Sequence, residues 1–305
     1  MKLFKILTLL FAISTYLVAN SDILVFKVDN KDHKLGAKVV EEALKKSGFS
    51  VLVNRDMNGP FKKQFQKSSF DIYNLLTTYD KKIAVNLVKK YPDAGIFAPF
   101  SMGIWQKKGD EFLHIAIPSA KYMAKVIGHE DKLFKELEDK TIKSLTSAIK
   151  GLKEYKLPYN EKSVSQKLIT KYETEVDDDE ADDNKDEIMM VFENGLKPIG
   201  FIKAGSNPLD VDLDEAKVED FEFYNCLSMC KLKVIYTIAK KHPEAGAFAP
   251  CTLVIYHKEG TKKTTLAFPN VYNWFSSLNL SDKEEIDVLK KAQSDIEKLI
   301  KSSIE

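Results

Sequence analysis

The second half of this chain repeats the first at a fixed offset of 151 residues. Phe70–Pro118 laid over Phe221–Pro269 without a gap gives 18 identities in 49 positions, where unrelated segments would share about three, so the two halves descend from one duplicated unit. The best-matched stretch reads KKYPDAGIFAP at Lys89–Pro99 and KKHPEAGAFAP at Lys240–Pro250. Upstream, ALKKSGF ending at Phe49 faces GLKPIGF ending at Phe201, so one residue has been gained or lost in between. The period is far longer than that of a stacked solenoid, and each copy is therefore a whole domain. A length of 305 residues accommodates two such domains.

Within a copy, the hydrophobic periodicity alternates between strand and helix. Ile23–Val28 reads as a strand, and Lys34–Ser47 as a helix with Ala37, Val40, Ala43 and Leu44 on one stripe, ended by Gly48. Phe49–Val53 and Phe70–Thr78 read as further strands. A second helix carries Ile83, Ala84, Leu87, Val88 and Tyr91 at helical spacing and stops at Pro92; its counterpart carries Val234, Ile235, Ile238, Ala239 and His242. Ile96–Trp105 and Phe112–Ile117 form a hairpin turning near Gly109, matched by Gly260. Each copy closes with a helix, and for the last one Ser281 with Glu284 predicts a capping box ahead of Ile286, Leu289, Ala292, Ile296 and Leu299. The unit is thus β-α-β-β-α-β-β-α. The acidic run Glu173–Glu187 stands where the first copy has only Asn30–His33, and reads as a solvated insertion before a helix, without the spacing of a calcium-binding loop.

The first residues set the expected compartment. Lys2 and Lys5 precede an apolar run, Ile6–Val18, and Ala19, Asn20 and Ser21 offer a cleavage site, the pattern of a secretory signal. The run is shorter than the ~20 residues that span a bilayer, so stable membrane insertion is not expected after cleavage. The division that follows is a signal peptide over 1–20, a first domain over 21–155, a linker over 156–165 around Pro158, and a second domain over 166–305. A periplasmic or secreted location is expected. The 46 basic and 45 acidic residues leave a net charge of +1, which becomes −1 once Lys2 and Lys5 are removed. Nucleic-acid binding needs a clustered positive excess and is not expected.

Phe223–Gly260, reading FYNCLSMCKLKVIYTIAKKHPEAGAFAPCTLVIYHKEG, resembles the core of the bacterial domain-of-unknown-function family 302, and the likeness extends to both copies. That family is similar in having a strand ending in a cysteine, a helix, an acidic or proline turn, and a strand opening on a second cysteine. By the resemblance Cys230 and Cys251 match the two cysteines, and Pro118 and Pro269 match the proline after the last strand. Two departures are visible: Lys231 and Leu232 stand where Asn-Pro usually follows the first cysteine, and the first copy has Tyr79 and Phe100 in place of both cysteines. The family implies an α+β fold, an antiparallel sheet with helices packed on it, of the TATA-binding-protein-like class. It implies no established reaction.

All three cysteines, Cys226, Cys230 and Cys251, fall in the second copy. An oxidising compartment permits a disulfide between two of them. An unbroken strand would hold Cys226 and Cys230 about 13 Å apart, beyond the ~7 Å between Cα atoms that a disulfide tolerates, which makes Cys251 the shared partner. The alternatives are buried structural thiols, or a redox, metal or haem site. Tyr73 and Asn74 recur as Tyr224 and Asn225. They are candidates to line an apolar groove between the copies, or else an amide satisfied by its neighbours and a tyrosine packed under a helix. His33, His114, His129, His242 and His257 are scattered, and neither a metalloprotease HExxH, a hydrolase nucleophile motif nor a glycine-rich phosphate loop occurs. No catalytic residue is assigned and no cofactor is predicted, a metal or haem at the cysteines being left open. The expected function is non-enzymatic binding of a small apolar molecule or a protein partner; the alternative is thiol-based redox, metal or haem handling.

Overall fold

The computed structural model describes residues 21–177 and 180–305, so the expected signal peptide lies outside the described residues. The first half runs β1 (Ile23–Asp29), α1 (Ala37–Lys46), β2 (Ser50–Asp56), α2 (Asn58–Phe65), β3 (Phe70–Tyr79), α3 (Lys81–Lys90), a 3-10 turn (Pro92–Phe97), β4 (Phe100–Lys107), β5 (Phe112–Pro118), α4 (Ala120–Ile127), α5 (Lys132–Ala148) and β6 (Lys153–Tyr155). The second runs β7 (Ile169–Glu175), α6 (Ala181–Leu196), β8 (Ile202–Pro208), α7 (Asp210–Glu215), β9 (Phe221–Cys230), α8 (Leu232–Ala239), a 3-10 turn (Pro243–Phe248), β10 (Cys251–Lys258), β11 (Lys263–Pro269), α9 (Tyr272–Ser277) and α10 (Lys283–Ile304). The fold is α+β with two antiparallel sheets. Their orders, β2-β3-β4-β5-β1-β6 and β8-β9-β10-β11-β7, superpose strand for strand, with β6 the one addition.

The elements form where local chemistry dictates. Gly48 at φ +85° ends α1, and Gly109 and Gly260, at φ +78° and +67°, turn the two hairpins. The Asp80 side chain caps α3 by accepting from Ile83 N at 2.9 Å. The expected order holds for the strands and longer helices, but each half adds two short helices, α2 and α4 or α7 and α9, and several boundaries differ from the sequence reading. The strand expected from Ile96 begins only at Phe100, because Pro92–Phe97 coils into a 3-10 turn. The cap of α10 is Asp282, which accepts from Glu284 N and Glu285 N, displacing Ser281 by one residue. Of the acidic run, 173–175 close β7 and 181–187 open α6, where Asp182 and Asp183 complement the helix dipole.

Each sheet has one face under its own helices and the other under the opposite half. On the first sheet α1 covers the face of Asn54 and Asn74. The tyrosine face meets the second half: the Tyr73 hydroxyl donates to Pro243 O at 3.1 Å, and in return the Tyr224 hydroxyl donates to Pro92 O. Residues 73 and 224, like 92 and 243, are equivalent under the 151-residue offset, so one contact is made twice about an internal two-fold. Around it α2 packs on α8, with Phe65 stacked on Tyr236 at 3.9 Å, and α7 meets α3 through Lys81–Asp212 at 2.9 Å. Two glycines make the approach possible. A Cβ on Gly95 would lie 2.1 Å from the Tyr224 hydroxyl oxygen, and one on Gly246 would lie 2.5 Å from Gly103 Cα.

Gly246→Ala is therefore expected to lower stability by about 1–3 kcal/mol or more, the cost of overpacking a closed interface. Urea unfolding of the purified chain measures it, and a change within about 0.5 kcal/mol, typical of surface substitutions, would contradict the closeness of this contact.

Candidate functional site

Cys230 ends β9 just before the chain enters α8, and Cys251 opens β10 just after the 3-10 turn. The register pairs Cys251 with Met229, so both thiols lie at the same end of the sheet. They line one cavity of about 60 Å³, walled by Phe201, Met229, Phe268 and Trp274 and covered by Leu289 and Ile296 of α10. Its wall is almost wholly apolar. At the matching place in the first half Phe100 is fully buried and Tyr79 half-buried. Two aromatic rings thus occupy positions that the second half gives to two thiols.

Cys226 is held elsewhere. It lies mid-strand, and its thiol points to the Gly95 carbonyl of the other half at 3.5 Å. β9 runs unbroken through Cys226 and Cys230, as the spacing argument requires. All three cysteines are free thiols. Burial pushes the Cys230 and Cys251 thiols up to about 12 and the Cys226 thiol well above its ordinary value. Such thiols are weak nucleophiles near neutral pH, because the thiolate is the reactive form.

The residues proposed to line a groove between the copies are placed otherwise. Tyr73 and Tyr224 are both fully buried in the seam, their hydroxyls bound as described, and burial raises both phenols well above the usual range. Neither ring is open to solvent. Asn74 faces away from the seam and donates to Asn54 Oδ1 at 2.9 Å, while Asn54 donates to Glu41 Oε2 at 2.8 Å; Asn225 points to Asp210 Oδ2 at 3.5 Å. The amides recur because they tie strands to their neighbours, and the tyrosines because they join the halves.

Sequence reasoning missed Trp274, which walls the cavity, and a polar cluster of Tyr159, His242, Glu244 and Glu285. A signal for both existed in the repeat. Carried past Pro118, the same offset places Trp274 over Met123 and Glu285 over Phe134, so the second half changes character at these positions. Among the described residues, no group of three or more His, Cys, Asp or Glu side chains converges as a metal site.

The native protein is expected to take up iodoacetamide at Cys230 and Cys251 at pH 8 at least about 50-fold more slowly than the urea-unfolded chain. The thiolate fraction falls by roughly three orders of magnitude when the pKa rises to about 12, and the greater nucleophilicity of a more basic thiolate restores only part of it. Labelling should accelerate as the pH is raised. Mass spectrometry of the labelled protein counts the sites, and rapid native modification of either residue would refute the burial.

A family model described as "Domain of unknown function DUF302" matches residues 26–152 and, a second time, residues 180–303. No curated protein matches the chain. Among solved structures, an uncharacterized conserved protein DUF302 from Bacillus stearothermophilus is 21% identical, with a TM-score of 0.34, over 46% of this chain and 97% of that one.

Proposed function

The chain belongs to the DUF302 family through both of its halves, and from that premise we propose that it is an exported, non-enzymatic binding protein whose second half takes up a slender apolar group. The observation that carries this reading is the thiol-lined cavity under α10, at a position where the first half is filled by Phe100. A volume of about 60 Å³ is more than one water needs but below the ~150 Å³ that holds benzene, so the end of an alkyl chain fits the space better than a ring. Met229 adds an adaptable wall, since an unbranched thioether shifts rotamer at little cost. The first half then acts as the rigid partner that closes the seam.

Export rests on Lys2, Lys5 and the apolar run Ile6–Val18. Among the described residues no helix is long and apolar enough to cross a membrane. Protein recovered from its native host should begin near Ser21, and an intact mass that includes Met1–Asn20 would count against cleavage.

The alternative, redox or metal and haem handling by thiols, draws support from Cys230 and Cys251 sharing one wall. The high thiol pKa values weigh against it, since redox-active and metal-binding cysteines have lowered ones.

1-Octanol is expected to raise the melting temperature in a saturable way, by about 2–4 °C per kcal/mol of binding. Cys251→Phe, which installs the residue found at position 100, should abolish the rise while leaving the protein folded. An unchanged melting temperature across the titration, or an equal rise in the Phe variant, would remove the cavity from consideration.

A further inference from the structure

At the start of α10 the second half carries a polar group where the first half is aromatic. In the first half Tyr91 and Phe134 stack at 6.4 Å; the same places 151 residues later hold His242 and Glu285. Glu285 is 2% exposed, and its Oε1 accepts no hydrogen bond. Two cationic or ionisable groups face it at more than hydrogen-bond range: Lys241 Nζ is 3.7 Å from Oε1, and His242 Nε2 is 4.0 Å from Oε2. Lys241 is already engaged by Asp282 at 2.5 Å. The other ring nitrogen of His242 lies 3.2 Å from Glu244 Oε1, and Glu244 also accepts from the Tyr159 hydroxyl. The Tyr159 ring stands edge-on to His242 at 5.6 Å. A pocket of about 320 Å³, lined by Tyr159, Lys241, His242, Asp282 and Glu285, opens over this group to solvent.

The balance of charge and of hydrogen-bonding capacity says what is missing. Three carboxylates, Glu244, Asp282 and Glu285, are set against one ammonium and one imidazole. A buried carboxylate oxygen with no donor carries a desolvation cost that a hydrogen-bonding cation removes. We propose that this pocket binds a compact primary ammonium group that hydrogen-bonds the Glu285 carboxylate beside the rings of Tyr159 and His242. The tyrosine ring adds cation–π attraction. A divalent metal fits less well. The two nitrogens of His242 address different carboxylates, so no common point receives three ligands, in line with the absence of a converging set among the described residues. The site shares no lining residue with the thiol cavity and does not depend on it.

The test uses n-butylammonium chloride on the full mature chain, with n-butanol as the uncharged control, followed by the imidazole NMR signals and calorimetry. Saturable binding with a Kd on the order of 1 mM, reported by the His242 ring, is expected. Glu285→Gln should weaken it about tenfold or more. The pair His242→Tyr and Glu285→Phe, which recreates the stack of the first half, should abolish binding with the melting temperature retained, whereas Cys251→Phe should leave binding unchanged. A short peptide with a central lysine identifies the source of the amine: comparable binding points to a lysine side chain, and binding of butylammonium alone to a free alkylamine. The proposal fails if n-butanol shifts the same signals equally, if the His242 ring is unmoved up to about 20 mM amine, or if Glu285→Gln and the double variant bind as the wild type does.

Discussion

The architecture depends on one contact made twice, a buried tyrosine hydroxyl of each half donating to the carbonyl of the proline that opens the other half's turn. Neither sheet could leave its tyrosine face to water. Leu75 beside Tyr73 on the first sheet, and Cys226, Val254 and Tyr256 beside Tyr224 on the second, are all buried to within a few per cent. Because the bonding groups are enclosed, losing one would strand its partner without water, which makes each bond matter more than its modest net strength. Gly95 and Gly246 let the backbones come near enough for the bonds to form. Further contacts cross the seam in both directions: Ser101 donates to Pro250 O at 3.1 Å, and the Tyr256 hydroxyl donates to Asp93 Oδ1 at 2.9 Å.

Around this shared frame the halves have diverged at a few interior positions. The first half fills three places with rings, Phe100 at the sheet end and Tyr91 and Phe134 by the first turn of α5. The second half gives the corresponding places to Cys251, His242 and Glu285, and gains in exchange a thiol-lined cavity on one side of α10 and a charged pocket by its first turn. Both changes bear on the same helix. α10 is anchored at the edges of both, through its Asp282 cap beside the charged pocket and the Lys231–Asp295 ion pair at 2.7 Å beside the cavity. The helix keeps its place while its underside varies.

The duplication and the family were legible as residue identities, and the strands and longer helices of each unit as two-residue and 3.6-residue periods that survive tertiary context, whereas the short helices α2, α4, α7 and α9 were not. What Tyr73, Tyr224 and the P-(D/E)-A-G turns do was not legible. Their recurrence was visible, but a residue retained in both copies to touch the other copy looks the same in sequence as one retained to face a ligand. The turn at Pro92 was misread as part of a strand since Ile96, Phe97 and Ala98 have strand-like composition, and only docking against β10 and β11 explains why they coil. The polar cluster escaped because it joins Tyr159, ahead of the second sheet, to Glu285 in the last helix. Only a residue-by-residue comparison of the halves beyond Pro118 reveals that a ring became a carboxylate.

Joining the two units in one polypeptide has a genetic consequence. In a symmetric pair of separate subunits, every substitution appears on both sides of the axis at once, so a change useful at one site must be tolerated at its mirror position. Here the segment between β6 and β7 spans from one unit to the next and is itself pinned to α9, Ser276 Oγ donating to Lys162 O at 2.6 Å. Each copy of the ancestral gene could then mutate alone, one conserving the scaffold while its sister experimented.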